Sequence, residues 1–318
     1  MEAAGARLVA VDLDGVVWLG GAVFPEAAGA LAAVIERGLD LRYVTNNSTA
    51  HREDVSERLA AAGLPAGAER VLTSGYVTGR WLRQRLPACA PVLVVGEAGL
   101  LRELKEAGLT PVRAGAEPPS REDGDPDAVA APGAGAGPGA SARGTAVPGA
   151  PIPGAAAGRF QAVVVGMDRG FTFRSLAQAQ AAIAAGALFV GTNQDPTFPT
   201  PAGLLPGAGA VVAAVAAAAQ QEPVFMGKPG LALAEILALT TMVPAAQTLF
   251  VGDRMSTDIG MGRRAGMITA LVLTGVTSRA DLERARAEGS PDLPHHVLAT
   301  LADLPPLLDA LSAAEPAR

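Results

Sequence analysis

Residues 8–15 read LVAVDLDG, and this stretch decides the fold class. Its first four residues form a short apolar run rich in β-forming side chains, and an acidic turn follows at once. That order is typical of a buried parallel strand whose carboxyl end carries polar groups. Outward from it, residues 25–37 predict a helix that ends at Gly38, and residues 41–45 predict a second strand. Two strand–helix units so close together indicate a parallel sheet covered by helices.

The same alternation continues along the chain. Further strands are predicted at 92–95, 162–165, 188–192, 248–251 and 268–273, and helical patterns separate them. We therefore predict an α/β fold with a doubly wound, Rossmann-like parallel sheet.

Composition narrows the classes of function. The chain has 318 residues, of which 49% are hydrophobic, and its length suggests two domains. It carries 25 Lys and Arg against 31 Asp and Glu, and this acidic balance argues against a nucleic-acid partner. A single cysteine, Cys89, excludes an internal disulfide and fits a reducing compartment. We see no apolar run long enough for a membrane span and no secretion signal, so we expect a cytoplasmic protein without a membrane partner.

One segment breaks the α/β pattern. In residues 114–158, 32 of 45 are Ala, Gly or Pro, and none is aromatic. Such a composition cannot bury enough apolar surface to offset the entropy of ordering the chain. We predict a disordered loop at 114–158.

Two acids follow the first strand. Asp12 and Asp14 are two residues apart, so in an extended backbone both carboxylates face the same cleft. Ligands bind beyond the carboxyl ends of the strands in open α/β sheets. The alternative is an ordinary turn, in which acids and Gly are common.

Residues 45–48 (TNNS) end the second strand and offer a hydroxyl, amides and backbone N–H groups for an anion. A helix cap is the competing interpretation. Lys228 lies between Gly and Pro at a predicted helix start, where a simple surface lysine is the alternative.

Asp253 and Asp258 follow the strand predicted at 248–251. Capping of a helix N-terminus accounts for one of these carboxylates but not easily for both. Asn193 and Asp195 follow the strand at 188–192, which we assign to the core, and either border the site or form a turn.

In chain order these groups are an acid pair, a hydroxyl, a lysine and a second acid pair. With this order the chain resembles the phosphatases of the haloacid dehalogenase superfamily, whose four motifs are DxD, Ser/Thr, Lys and GDxxxxD. It is most similar to class IIA, which includes NagD-type nucleotidases, p-nitrophenyl phosphatases and phosphoglycolate phosphatases. The matching stretches include DLDGVVWLGG, YVTNNSTAHRE, MGKPG, VGDRMSTDIG and LVLTGVT.

The resemblance implies a role for each residue. It implies that Asp12 is the nucleophile and that Asp14 is the general acid and base. It implies a Mg²⁺ ion bound by Asp12, the backbone carbonyl of Asp14 and Asp253. It further implies that Thr45, Asn46 and Lys228 bind the phosphate group. Asp258 would orient Lys228 or a metal-bound water, and Asn47 would support the site without contacting the ligand.

The resemblance also implies an inserted cap domain, and counting residues gives its place. Between Thr45 and Lys228 there are 182 residues, far more than one strand–helix unit needs. We predict a class IIA cap, of the C2 type, at 75–186 and a catalytic core at 1–74 and 187–318. Caps of this type often pair in dimers, so a homodimer formed through the cap stays open as an oligomeric state.

The expected function is a magnesium-dependent phosphomonoester hydrolase that acts on small phosphometabolites through an aspartyl-phosphate. A nucleoside monophosphate, phosphoglycolate and a sugar phosphate all stay open as substrates. Two alternatives also stay open: a phosphometabolite-binding protein without catalysis, and a phosphotransferase or phosphomutase on the same fold. A dinucleotide-dependent oxidoreductase is excluded, because no G-x-G-x-x-G follows the first strand.

Overall fold

The computed structural model describes residues 5–116, 158–200 and 203–313. The loop predicted at 114–158 lies outside the described residues, apart from 114–116 and 158. Ala114, the first residue of that prediction, is buried in an apolar cluster.

Strands and helices alternate through the described residues. The strands are β1 (Leu8–Asp12), β2 (Trp18–Leu19), β3 (Ala22–Val23), β4 (Asp40–Thr45), β5 (Val71–Thr73), β6 (Pro91–Val95), β7 (Thr110–Arg113), β8 (Ala162–Val165), β9 (Leu188–Gly191), β10 (Thr197–Thr200), β11 (Gly203–Pro206), β12 (Val224–Phe225), β13 (Thr248–Gly252), β14 (Ile268–Val272) and β15 (His296–Leu298). The α-helices are α1 (Ala27–Glu36), α2 (Arg52–Ala61), α3 (Ser74–Arg83), α4 (Ala98–Glu106), α5 (Phe173–Ala184), α6 (Ala208–Ala219), α7 (Ala232–Thr241), α8 (Gly260–Ala265), α9 (Arg279–Ala287) and α10 (Leu304–Ala313).

The first of two large sheets has six strands in the order β15-β14-β13-β1-β4-β5, and every neighbouring pair is parallel. Strand β1 lies between β13 and β4. The carboxyl ends of these three strands therefore meet at one edge of the sheet. The α/β fold with a Rossmann-like parallel sheet is confirmed.

The second large sheet has five parallel strands in the order β12-β9-β8-β6-β7. Strand β9 pairs with β8 and β12, so it belongs to this sheet and not to the core, where we had placed it. The boundary expected at 186/187 is therefore too early in the chain. A continuous apolar run identifies a buried strand, but it does not identify the sheet in which the strand pairs.

Helices cover both faces of each sheet. Alternate side chains of β1 therefore pack in apolar clusters on opposite faces. Leu8 and Ala10 point into one apolar cluster, whereas Val9 and Val11 point into another on the opposite face. The cluster with Leu8 also contains residues of β6 and β8 and of α3, α4 and α7. One continuous apolar core thus connects the two sheets. Among the described helices, none is long and apolar enough to cross a membrane.

Candidate active site

Three adjacent strands bring three of the predicted residues together. Asp12 is the last residue of β1, Thr45 is the last residue of β4, and Asp253 follows β13 directly. Since these strands are parallel neighbours, their final residues meet at one edge, which is where ligands bind in open α/β sheets.

A cavity of about 530 Å³ opens at this edge. Loops that follow β8 and β9 of the second sheet form part of its wall, so both sheets contribute to it. The charged and polar residues that line it include Asp12, Asp14, Thr45, Asn46, Arg58, Arg169, Asn193, Asp195, Lys228, Asp253 and Asp258.

Lys228 joins two of the predicted acids. Its side chain is only 3% exposed, and its Nζ lies 2.7 Å from Asp12 Oδ1 and 2.7 Å from Asp258 Oδ1. It follows β12 of the second sheet and not, as we expected, a strand of the core sheet. The ammonium group reaches the end of β1 from the side of the second sheet.

Asp258 returns to the strand end through a single turn of π-helix at Met255–Ile259. Its Oδ2 accepts a hydrogen bond of 3.0 Å from the backbone N–H of Arg254. A side chain on Gly252 would place its Cβ 2.7 Å from Asp258 Oδ2, so only glycine leaves room there. The spacing of five residues between the two acids thus brings both to the end of β13.

Asp253 is held by the loop that follows β14. The backbone N–H of Val276 donates to Asp253 Oδ2 at 2.6 Å, and the backbone N–H of Thr277 donates to the Asp253 carbonyl at 3.1 Å. A Cβ on Gly275 would lie 2.6 Å from the Asp253 carboxyl carbon. This close approach fixes the carboxylate.

Burial dominates the electrostatics of the acid cluster. It raises the pKa of Asp12 well above its usual range; Lys228 opposes that rise, while Asp258 and Asp253 add to it. Burial, reinforced by Asp258, also raises the pKa of Asp253 to about 6. Burial alone would lower the pKa of Lys228, but the carboxylates of Asp12 and Asp258 outweigh it and raise the value.

The donor set fits a hard cation. Carboxylate oxygens of Asp12, Asp253 and Asp258 lie within 4.8 Å of one another. Three buried acids thus share one ammonium group, and Lys228 pairs with only two of them, Asp12 and Asp258. Carboxylate oxygens are ligands that Mg²⁺ prefers in proteins.

A second acidic cluster, formed by His51, Glu103 and Glu106, does not fit a metal ion. His51 Nδ1 accepts from the backbone N–H of Glu53 at 3.2 Å, so the ring hydrogen lies on Nε2, 3.1 Å from Glu106 Oε2. Arg52 pairs with Glu103 at 2.6 Å and with Glu106 at 2.7 Å. The cluster is therefore an internally paired link between α2 and α4.

The side chains of Thr45 and Asn47 make hydrogen bonds within the loop after β4. Thr45 Oγ1 accepts from the backbone N–H of Asn47 at 3.1 Å, which leaves its hydroxyl hydrogen for another acceptor. The Asn47 side chain accepts from the backbone N–H and the hydroxyl of Thr49, both at 2.8 Å, and so shapes the loop.

The Asn46 side chain makes hydrogen bonds with two other segments of the chain. Its Nδ2 donates to Asp195 Oδ2 at 2.9 Å and to the Lys228 carbonyl at 3.0 Å. Its Oδ1 accepts from the backbone N–H of Lys228 at 2.8 Å. The side chain thus fastens the loop after β4 to the segment that carries Lys228. Binding of a phosphoryl oxygen by Asn46 stays a prediction.

Asn193 and Asp195 line the cavity; the sequence had left open whether they border the site or form a turn. Asn193 Nδ2 donates to the Asn46 carbonyl at 2.7 Å, and the Asn193 side chain accepts from the backbone N–H of Asp195 at 3.0 Å. From the sequence, Trp18 was expected to pack or to shape the rim of the cleft, and Arg58 was not singled out. Trp18 Nε1 donates to Asp14 Oδ1 at 2.9 Å, and the Arg58 guanidinium lies 4.0 Å from the centre of the Trp18 ring. The only sequence signal was the position of Trp18, four residues after Asp14.

Comparison with known proteins indicates the family of the chain. Residues 9–110 match the family described as haloacid dehalogenase-like hydrolase, and residues 225–304 match the family described as HAD-hydrolase-like. A curated relative, glycerol-3-phosphate phosphatase of Gallus gallus, is 35% identical over 309 residues, which are 94% of this chain and 90% of the relative.

Two solved structures are also similar. One is a p-nitrophenyl phosphatase from Archaeoglobus fulgidus, with a TM-score of 0.76 and 27% identity, and the match covers 96% of this chain and 100% of that one. The other is a glycerol phosphate phosphatase from Mycobacterium tuberculosis in complex with magnesium, with a TM-score of 0.73 and 31% identity. That match covers 94% of this chain and 76% of the other.

Proposed function

This chain belongs to the haloacid dehalogenase-like hydrolases and is a phosphatase, and we propose that it hydrolyses monoesters of small phosphometabolites through an aspartyl-phosphate on Asp12. One observation carries the proposal. The Asp12 carboxylate lies at the end of β1, 2.7 Å from the ammonium of Lys228, in a cavity that Asp14 also lines.

In the first step, a carboxylate oxygen of Asp12 forms a bond to phosphorus while the bond from phosphorus to the ester oxygen breaks. Asp14 transfers its proton to that oxygen, which leaves as an alcohol. Asp14 is exposed within the cavity, whereas Asp12 is buried. An exposed acid can reach the leaving group, while a buried carboxylate is held in position for attack.

In the second step, the Asp14 carboxylate accepts a proton from water, and the water oxygen attacks phosphorus. The bond between phosphorus and Asp12 breaks, and inorganic phosphate leaves with Asp12 restored as a carboxylate. The Thr45 hydroxyl and the Lys228 ammonium donate to the phosphoryl oxygens in both steps, where such donors stabilise the charge that shifts in the transition state.

We propose Mg²⁺ as the metal, held by the carboxylates of Asp12 and Asp253 and by the backbone carbonyl of Asp14. The crowding of three buried acids around one ammonium group supports this assignment. When bound, Mg²⁺ supplies positive charge that lets an anionic carboxylate approach an anionic phosphate. Asp258 holds Lys228 from behind, since its Oδ1 lies 2.7 Å from Nζ.

The unit built on the second sheet acts as the cap in this proposal. Arg169, in the loop after β8, and Asp195, in the loop after β9, line the cavity that Asp12 also lines. Loops in this position face the leaving group and exclude water. The similarity to glycerol phosphate phosphatases makes glycerol 3-phosphate the first substrate to test.

The test is release of inorganic phosphate from p-nitrophenyl phosphate, glycerol 3-phosphate, dihydroxyacetone phosphate, phosphoglycolate and nucleoside monophosphates. Each is assayed with Mg²⁺ and with a chelator, for the wild type and for Asp12→Asn. A matched control is Asp40→Asn at the amino end of β4, on the edge of the sheet away from the cavity.

We expect release that requires Mg²⁺, disappears in Asp12→Asn and persists in Asp40→Asn. A phosphoryl group trapped on Asp12 by rapid acid quench would identify the intermediate. Full activity in Asp12→Asn, or in the presence of the chelator, would contradict the proposal.

A further inference from the structure

The turn after β1 brings an indole to the proposed acid. The backbone N–H groups of Val16, Val17 and Trp18 all point to the Leu13 carbonyl, and the backbone N–H of Gly15 donates to the Trp18 carbonyl at 2.7 Å. This tight turn lets the side chain of Trp18 reach back to Asp14, where Nε1 donates to Oδ1 at 2.9 Å.

The two partners differ in freedom. Asp14 is exposed within the cavity, and a carboxylate there would rotate about two side-chain bonds. Trp18 is only 2% exposed and packs in the apolar core beneath the cavity. The rigid indole therefore restricts the mobile carboxyl group.

The bond also determines which oxygen carries the proton. Indole nitrogen donates and never accepts a hydrogen bond. Asp14 Oδ1 is thus committed as an acceptor, and the proton for the leaving group lies on Oδ2. Without the bond, the two oxygens would be equivalent and the proton would have no fixed position.

Arg58 of α2 holds the indole from its other side. Its guanidinium carbon lies 4.0 Å from the centre of the Trp18 ring, within the range of a cation–π contact. Because α2 follows the loop that carries Thr45, this contact ties the position of the acid to the loop proposed to bind phosphate.

We propose that Trp18 is a positioning residue for Asp14: its Nε1–H holds Oδ1 so that Oδ2 delivers the proton to the leaving oxygen. This inference rests on the proposed function, because it concerns the acid of that reaction. It predicts a dependence on the leaving group that a purely structural tryptophan would not produce.

The reason lies in the role of the proton. A p-nitrophenolate leaves readily without protonation, whereas an alkoxide does not. A misplaced acid therefore slows alkyl esters far more than aryl esters. The ratio kcat/KM reports every step through departure of the leaving group, so it isolates this effect from the later attack of water.

The experiment compares Trp18→Phe with the wild type on p-nitrophenyl phosphate and on glycerol 3-phosphate. Phenylalanine keeps an aromatic ring in the core but removes the N–H. General acids contribute about 10²–10⁴-fold to rate, so partial misplacement should lower kcat/KM for glycerol 3-phosphate about 10–100-fold. For p-nitrophenyl phosphate we expect a loss of no more than about threefold, since only the packing changes.

Trp81→Phe is the matched control. Trp81 of α3 is also buried, at 7% exposed, and Arg85 covers its ring at 3.7 Å, but it lies outside the cavity lining. We expect the two substrates to change by the same factor in this variant. If Trp18→Phe does not fold, tryptophan at position 18 can be replaced by benzothienylalanine, which keeps both rings and lacks the donor.

Equal losses on both substrates in the variant at position 18, or no loss on either, would overturn the role of Trp18. Such a result would leave the proposed function intact, provided that the wild type is active and Asp12→Asn is not. A wild type that releases phosphate from no ester of the panel described above would refute the proposed function itself.

Discussion

Removing the charge of Lys228 should destabilise the protein strongly. Lys228→Met keeps an unbranched side chain of similar length but leaves the carboxylates of Asp12 and Asp258 without the ammonium that lies 2.7 Å from each. All three side chains are buried, so water cannot take the place of the lost partner.

The magnitude follows from the burial of the group. Removing one partner of a buried ion pair costs about 3–5 kcal/mol in the free energy of unfolding. At about 2 °C per kcal/mol, the lower end for large chains, the midpoint of thermal unfolding should fall by about 6–10 °C. A charge pair on the surface would cost less than about 1 kcal/mol.

The assay is thermal unfolding followed by circular dichroism in the presence of a chelator, so that no divalent cation compensates for the lost charge. The chain has only one other lysine, Lys105, which is exposed on α4, and Lys105→Met is therefore the matched control. The double variant Lys228→Met with Asp258→Asn removes one of the two stranded charges and should recover part of the loss. The reasoning would be refuted if Lys228→Met melted within about 2 °C of the wild type and of Lys105→Met.

Two further predictions concern Gly275 and His295. Gly275→Ala should lower kcat/KM about 100-fold, because the new Cβ would lie 2.6 Å from the Asp253 carboxyl carbon and displace that carboxylate. A displacement of about 1 Å can cost a factor of this size. Gly29→Ala, on α1 with open space around it, should retain full activity in the same phosphate-release assay. Burial and the Arg263 guanidinium lower the pKa of His295, so the unfolded chain binds a proton on this side chain more tightly than the folded chain does. The contribution of His295 to stability is therefore complete above pH 6.5, the ordinary pKa. It is lost as the pH falls from 6.5 toward the lower pKa of the folded state. Urea unfolding at about pH 8 and about pH 5 should show this loss in the wild type and a smaller one in His295→Gln, and an identical pH dependence in both would count against it.

Much of the site could be predicted because strand ends are visible in a sequence. A buried apolar run followed by an acid identifies the carboxyl end of a parallel strand, and parallel strands place those ends at one edge. Asp12, Thr45 and Asp253 were predicted in this way, and they do lie at the ends of three adjacent strands. The acid five residues after Asp253 also returns to the same strand end.

The placement of one strand and the contacts of two side chains could not be predicted from local sequence pattern. The strand at 188–191 has the same apolar character as a core strand, yet its hydrogen bonds lie in the second sheet. The Asn46 side chain has the chemistry to bind phosphate, yet contacts with Asp195 and Lys228 occupy it. The hydrogen bond from Trp18 to Asp14 was not predicted, since an indole in a core is usually only a packing residue.

The sequence by itself determined the α/β class, the order of the motif residues and the family they resemble, because periodicity and strand-end chemistry are local properties of the chain. The tertiary structure decided which sheet each buried strand joins and which residues the Asn46 side chain contacts. It also decided that the carboxylates of Asp12 and Asp258 share the ammonium group of Lys228. These depend on pairing between residues such as Asp12 and Lys228, which lie far apart in the chain and meet only when loops from both sheets close around one cavity. The local sequence pattern determines which chemistry each residue offers. Packing determines which of its polar groups other residues already engage.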